Sequence, residues 1–187
     1  MDDIARSELI VGGQRSGKSH RAELLSGQWL LEASHRAVMI ATACAWDEEM
    51  CDRIIRHQSD RAHRLPNMQT VEEPLNIVSA IKLHSTEKTL IVVDCLTLWL
   101  TNLLMPLKSG DAVSEEEVML AIEALSLAIE DAPGPVVFVS NEIGLGVIPM
   151  GAGVRSFVDN QGRLNQHLAS VCQRVTLMVA GLPLRLK

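Results

Sequence analysis

Leu9-Ile10-Val11-Gly12-Gly13-Gln14-Arg15-Ser16-Gly17-Lys18-Ser19 decides the fold. Three aliphatic residues run straight into two glycines, which reads as a short strand, buried on both faces and ended by a tight turn. Gly12 to Ser19 then satisfies G-x-x-x-x-G-K-[ST] at every fixed position. From Lys18 to Leu30 the apolar positions Ala22, Leu24, Leu25 and Leu30 mark a helix. The chemistry of a phosphate cradle needs these residue types in this order. Glycines let the backbone curl so that successive N–H groups converge on one phosphate. Lys18 is a mobile charge able to reach the β- and γ-phosphates, and the Ser19 hydroxyl suits Mg²⁺. The helix N-terminus adds a favourable dipole.

Outward from the cradle, strands and helices alternate. Further strands are read at Ala37–Ala41, Thr89–Asp94, Val136–Ser140 and Val175–Ala180, with a short edge piece at Pro183–Lys187. Helices are expected from Asp47 to about Gln58, from Pro74 onward, over Cys95–Leu104, from Ser114 to about Glu130, and over Arg155–Cys172. Ser114-Glu115-Glu116-Glu117 is a capping-box pattern. Ser59 to Asn67 reads as a basic polar stretch containing Pro66, Lys108 to Asp111 as a surface loop, and Asn141 to Val154 as a Gly-rich loop. The pattern predicts an α/β fold with a mostly parallel sheet covered by helices on both faces. No break in composition divides the 187 residues, so residues 1–187 are expected to form one domain.

Composition narrows the function. The formal net charge is −6, which gives no general attraction for nucleic acid or anionic membranes. Cys44, Cys51, Cys95 and Cys172 are widely spaced, with no C-x-x-C pair to suggest a zinc knuckle. No run of apolar residues is long enough to span a membrane, and Met1-Asp2-Asp3 is unlike a signal peptide. A cytoplasmic setting with reduced thiols is the expectation.

Asp94 closes an apolar strand. A carboxylate there either holds Mg²⁺ or caps the next helix, and the presence of the cradle favours the metal. His57 falls near the end of its helix, with Arg53 one turn earlier on the same face and Arg61 and Arg64 just beyond. A neutral imidazole there can attack phosphorus, helped by cationic neighbours. On residue type and spacing alone, a surface histidine at a helix C-terminus is the favoured reading. His63 lies in the basic stretch, within reach of nucleotide. His20 follows the cradle, His35 and His84 read as solvent-facing loop residues, and His167 as a helix surface residue. Met119, Met150 and Met178 read as packing. Cys95 reads as a small buried residue, and Trp99 and Leu100 as core.

Other stretches join these motifs: Ile40-Ala41-Thr42, the pattern D-x-E-M-x-x-R-I-x-x-H-x-x-x-R from Asp47 to Arg61, and Thr70-Val71-Glu72-Glu73-Pro74. Asp94-Cys95-Leu96-Thr97-Leu98-Trp99-Leu100-Thr101-Asn102 follows. The most selective run is Ser140-Asn141-Glu142-Ile143-Gly144-Leu145-Gly146-Val147-Ile148-Pro149, leading to Arg155, Asp159 and Gly162-Arg163-Leu164-Asn165-Gln166. Val179-Ala180-Gly181-Leu182-Pro183-Leu184 closes the set. Together, almost end to end, they resemble the bifunctional adenosylcobinamide kinase / adenosylcobinamide-phosphate guanylyltransferase family of cobalamin biosynthesis.

The resemblance implies a RecA-like P-loop domain, a homotrimer, and ATP, GTP and adenosylcobinamide as substrates, with Mg²⁺. It makes His57 the nucleophile that takes GMP from GTP, and Lys18 the catalytic cation of the kinase step. It places nucleotide contacts at Gly13, Gln14, Arg15, Ser16, Gly17, Lys18, Ser19 and His20, at Cys44, Ala45 and Trp46, and at Arg61, Ala62, His63 and Arg64. Glu72 and Asp94 are expected near the guanine nucleotide, with Ser19 and Asp94 at the metal. The loop Asn141 to Pro149 either shapes the corrinoid or nucleotide pocket or is a structural turn. One departure stands before Thr70, where the family often has Trp and this chain has Met68 and Gln69.

Overall fold

A computed structural model describes residues 3–45, 47–105 and 113–187. Trp46 and the loop expected at 108–111 lie outside the described residues, as do the side chains of Arg53 and His57. Along the chain the elements are β1 (Ser7–Gly12), α1 (Lys18–Trp29), β2 (Arg36–Ala41), α2 (Glu48–Arg64), β3 (Met68–Glu72), α3 (Ile77–His84) and β4 (Thr89–Asp94). Then come α4 (Leu96–Leu104), α5 (Glu115–Asp131), β5 (Val136–Asn141), α6 (Ala152–Val171), β6 (Arg174–Val179) and β7 (Leu182–Arg185).

The seven strands form one sheet in the order β3-β2-β4-β5-β1-β6-β7. All neighbours are parallel except β6 and β7, which pair antiparallel. This is the α/β arrangement expected from strands without polar alternation. Alternate residues of a strand point to opposite faces. Leu90 and Val92 of β4 accordingly join Ile10, Met39, Ala22 and Leu25 under α1, while Ile91 and Val93 join Leu9, Phe138 and Trp99 on the other face. The second layer is closed by α3, α4, α5 and α6. Trp99 and Leu100 are core residues, as expected.

Beneath the cradle, α1 is tied to the sheet by a buried acid. Glu8 of β1 accepts from Thr176 Oγ1 at 2.7 Å and from Arg21 Nε of α1 at 3.0 Å, with Arg174 at 3.5 Å. The capping box of α5 is also present: Ser114 Oγ accepts from the Glu117 N–H, and Glu117 Oε2 accepts from the Ser114 N–H. Donation to Glu117 Oε2 from the Ser114 N–H first, and from the Ser114 hydroxyl at 2.8 Å second, holds the Glu117 carboxyl below its ordinary range.

Three expectations need correction. β3 is not anticipated by the sequence, because an edge strand that leaves Gln69, Thr70 and Glu72 exposed shows no apolar run. Helix α2 continues through the stretch expected to be irregular and stops at Arg64. Arg61, His63 and Arg64 suit its negative end, and Leu65 precedes Pro66, a position that disfavours helix. Helix α6 begins at Ala152, within the segment expected to be loop. Smaller differences concern single residues. His35 is half-buried, stacked on Trp29 at 3.9 Å; His84 ends α3; and Met150 is 96% exposed rather than packed.

Candidate active site

Every segment singled out for nucleotide chemistry before α6 leaves the carboxyl edge of a parallel strand or lies on the helix that follows. Gly12 to Ser19 follow β1, Thr42 to Ala45 follow β2, Glu72 to Pro74 end β3, Asp94 and Cys95 end β4, and Asn141 ends β5. Parallel connectivity makes that edge the place where helices start and ligands bind.

The cradle is held by its backbone. Gly12 has φ 153°, and a Cβ there would stand 2.5 Å from the Met178 carbonyl oxygen. Gly17 has φ 101° and forms the N-cap of α1. Both places need glycine. The turn is clamped from outside, since the Glu142 N–H donates to Gly12 O and the Gly181 N–H to Ser16 O, each at 3.0 Å. Lys18 Nζ donates to Gly13 O at 2.8 Å, so the ammonium is folded back over the turn. Ser16 Oγ is buried with no hydrogen-bond partner among the described residues.

A cavity of about 620 Å³ opens in front of this turn, lined by Gln14 to His20, with Asp94 and Asn141 beside them and Glu49, Asp52 and Arg56 of α2 opposite. A second cavity, of about 420 Å³, continues from it through Ser19, Asp94 and Cys95, which line both. Its walls are mainly apolar: Met39, Ala41, Ala43, Met50, Ile54, Pro74 and Leu98, with Cys44 and Ala45. Besides Ser19 and Asp94, three further polar residues enter it, Gln58, Arg61 and Glu72, and Gln58 Nε2 donates to Glu72 Oε1 at 2.9 Å. Helix α2 thus borders both cavities. Position 57 lies three residues after Ile54 and four before Arg61, a spacing that puts all three on one helix face.

Behind the junction stands a polar brace that sequence reasoning missed. Thr42 Oγ1 donates to Cys95 O at 2.7 Å and accepts from the Cys95 N–H at 2.8 Å. Asn102 Nδ2 donates to Thr42 O at 2.8 Å and to Pro74 O at 3.1 Å. Two buried side chains therefore fix three strand ends relative to one another. Another link joins the helices: Glu23 of α1, itself buried, pairs with Arg64 of α2 at 3.3 Å. Burial pushes the Glu23 carboxyl up, opposed by Arg64, His20 and Arg61.

Burial first, and the neighbouring Asp94 second, push the Cys95 thiol up to about 12, and burial also raises Cys44. In both, burial favours the neutral thiol over the thiolate. Among the described residues no group of three His, Cys, Asp or Glu could hold a metal. Mg²⁺ needs no such cage, because it keeps several waters and takes one or two hard oxygen donors alongside phosphates. A serine hydroxyl and a carboxylate bordering the phosphate cavity fit that requirement.

Most of the residues expected at the site meet here. Gln14 to His20 and Asp94 line the phosphate cavity, and Cys44, Ala45, Arg61 and Glu72 line its neighbour, while Gly13 holds the Lys18 ammonium. Ala62, His63 and Arg64 line neither. His63 is exposed, its Nδ1 2.7 Å from Ser59 O, and Arg64 is committed to Glu23. Sequence reasoning does not find the apolar lining, the α2 residues facing the cradle or the Thr42–Asn102 brace. The one available signal is that most of them lie at or beyond the carboxyl ends of β2 and β4.

A strand–cradle–helix unit, with a strand-end carboxylate one strand removed on the same edge, defines a P-loop nucleotide-binding enzyme. The chain belongs to the cobinamide kinase / cobinamide phosphate guanyltransferase (CobU) family, whose model matches residues 8–186, and it is a bifunctional kinase and guanylyltransferase of adenosylcobalamin biosynthesis. It is 43% identical over 180 residues to the bifunctional adenosylcobalamin biosynthesis protein CobP of Pseudomonas aeruginosa, covering 96% of each chain. It is 33% identical over 187 residues to CobU of Escherichia coli, covering 96% of this chain and 98% of that one. Among solved structures an ATPase domain superposes with a TM-score of 0.53 at 14% identity, covering 92% of this chain and 69% of that one, a likeness of fold alone. The RecA-like expectation therefore holds. Among the described residues no helix is long and apolar enough to cross a membrane.

Proposed function

We propose that the one cradle serves two successive reactions on the side chain of adenosylcobinamide. In the first, the aminopropanol hydroxyl oxygen bonds to the γ-phosphorus of ATP or GTP while the bond to the β–γ bridging oxygen breaks. The nucleoside diphosphate leaves and the hydroxyl proton passes to water. The backbone N–H groups and Lys18 hold the phosphates in line and offset the charge that develops on them. Ser19 and Asp94 would hold Mg²⁺, which when bound neutralises the β- and γ-oxygens.

In the second reaction a ring nitrogen of His57 bonds to the α-phosphorus of GTP and pyrophosphate leaves. A phosphate oxygen of adenosylcobinamide phosphate then displaces the imidazole, giving adenosylcobinamide-GDP. One difficult displacement becomes two easier ones. The apolar cavity suits a purine, and a Glu72 carboxylate suits guanine in particular, whose N1–H and N2–H₂ present two donors side by side. Adenine lacks that pair.

The observation that supports this reading is the continuity of the two cavities through Ser19, Asp94 and Cys95, with the His57 helix bordering both. Incubation with GTP labelled at the α-phosphate tests it. Acid-labile, alkali-stable label should appear on the protein and vanish in His57→Ala, which retains cobinamide phosphorylation. Binding of GTP without label would sink the proposal. A homotrimer accords with Leu145, Val147, Ile148 and Met150 standing exposed in one loop, an apolar surface that a lone chain leaves in water. A light-scattering mass of one chain counts against it.

A further inference from the structure

The run Ser140-Asn141 and the distant Asn165 belong to the most selective motifs of the chain, yet neither reaction above uses them. We propose that Asn141 is a catalytic residue of the kinase half-reaction, its carboxamide N–H donating to a γ-phosphoryl oxygen of the triphosphate. The proposal rests on the reading that the cradle holds that triphosphate.

Position comes first. Strand β5 lies between β1, which delivers the cradle, and β4, which delivers Asp94. In register Asn141 stands opposite Gly12, while Asp94 stands opposite Val139. Asn141 therefore reaches two residues further along the strand than Asp94 and borders the phosphate cavity with Lys18, Ser19 and Asp94.

Its backbone is fixed at both polar groups. The Asn141 N–H donates to Thr97 Oγ1 at 2.9 Å, and its carbonyl accepts from Asn165 Nδ2 at 3.0 Å. Among the described residues no hydrogen bond engages its carboxamide. Behind it sits a buried network. Ser140 Oγ donates to Asn165 Oδ1 at 2.6 Å, and Gln161 Nε2 reaches Ser140 Oγ at 2.9 Å and Asn165 Oδ1 at 3.1 Å. Ser140 is 0% and Gln161 1% exposed, and Gln161 Oε1 has no partner among the described residues. An apolar core would avoid that desolvation cost. The network joins the two motifs into one device, and the residue it holds in place is Asn141.

The chemistry suits an amide. In phosphoryl transfer, charge spreads over the three non-bridging γ-oxygens as the acceptor oxygen bonds to phosphorus and the β–γ bridge breaks. A fixed neutral donor stabilises that charge and takes no part in proton transfer. In guanylyl transfer the reacting phosphorus is α and the γ-group only departs, so the same donor contributes less.

The test compares the whole protein with Asn141→Ala and Asn141→Asp. For Asn141→Ala, kcat of cobinamide phosphorylation should fall about 100-fold, the scale of losing one aimed donor. KM for ATP should change less than about 3-fold, and Asn141→Asp should be slower still. The preference for ATP over ADP in equilibrium binding should shrink, and GMP labelling should fall far less than kinase rate. Thr97→Val, which frees the Asn141 backbone, should lower kinase kcat, and Thr97→Ser should restore it. A kinase kcat within about 2-fold of the unaltered protein, or an unaltered ATP-to-ADP preference, overturns the proposal. So does a parallel loss of kinase, labelling and ADP binding, which marks a purely structural role. Absence of GMP label on the unaltered protein would instead refute the His57 reading, leaving the ATP-to-ADP preference to decide this one.

Discussion

The two cavities that meet at Ser19 and Asp94 are built on opposite plans. The phosphate cavity centres on eight consecutive residues whose backbone is held from outside by Glu142 and Gly181. The apolar cavity is assembled from residues spread between Ser19 and Leu98. Its outer wall, α2, buries only Arg61 among its described side chains. The polar links that tie α2 down are few, notably Gln58 to Glu72 and Arg64 to Glu23. A segment with so few buried contacts opens at lower cost than the core around it. The difference teaches a division of labour. On the proposed reading, the phosphates would be gripped by a stiff turn common to both reactions, and the nucleophile would be presented by a helix that can adjust.

The sharpest way to break this division is at the cradle. Lys18→Ala should depress both reactions, each by about 10³-fold, since it removes a cation from where charge develops in either transition state. Initial rates of cobinamide phosphorylation and of protein labelling by α-labelled GTP would measure it. Loss of one reaction with the other intact would mean that the two do not share the grip. His57→Ala provides the opposite case, a change on the adjustable wall that spares the kinase.

A smaller effect is expected where the two cavities are joined. Thr42→Val keeps the volume but leaves the Cys95 N–H and carbonyl without the threonine hydroxyl. The Cys95 carbonyl still accepts from the Trp99 N–H at 3.1 Å, so the stranded group is the Cys95 N–H, at a cost of about 1–3 kcal/mol, read as a lower urea midpoint. Thr42→Ser keeps both bonds and loses one methyl, at about 1 kcal/mol. If the brace positions Asp94 and Glu72, Thr42→Val also raises KM for GTP more than Thr42→Ser does. Equal effects of the two variants would make packing of the methyl, rather than the hydroxyl, the contribution of Thr42.

This contrast also governs what can be read from sequence. The cradle is legible because its parts are consecutive, and each residue type has a reason of its own. Asp94 is legible because it ends the four apolar residues Leu90 to Val93. The capping box of α5 is legible because both partners lie within one turn. The apolar cavity is not, because Met39, Met50, Ile54 and Leu98 are each indistinguishable from core until the strands are ordered. β3 escapes because an edge strand carries Gln69 and Thr70 without penalty. The end of α2 escapes because the helix has no apolar stripe there, and its charges and Pro66 read as signs of a loop. Asn102 and Thr42 lie 60 residues apart in sequence and meet only through the crossover between β2 and β4.

The smallest effect is expected at the seam between stiff and adjustable parts. Glu23 is buried at 7% exposure, and its partner Arg64 has a side chain 47% exposed, so solvent screens the pair. Burial is the largest influence on the Glu23 carboxyl and raises it above 4.5 despite Arg64. The sign follows from proton linkage. With the folded value raised, the native protein binds the proton more tightly than the unfolded chain. The contribution of Glu23 to stability is then greatest at pH below 4.5 and is lost as pH rises through the raised value. Glu23→Gln removes that loss while keeping the shape. Measured by urea unfolding, the variant should gain on the unaltered protein as pH rises from 4.5 to neutrality, by no more than about 1 kcal/mol. A variant that instead loses ground toward neutral pH would show that the Arg64 pair outweighs burial, and that α2 is held to α1 more firmly than its sparse contacts imply.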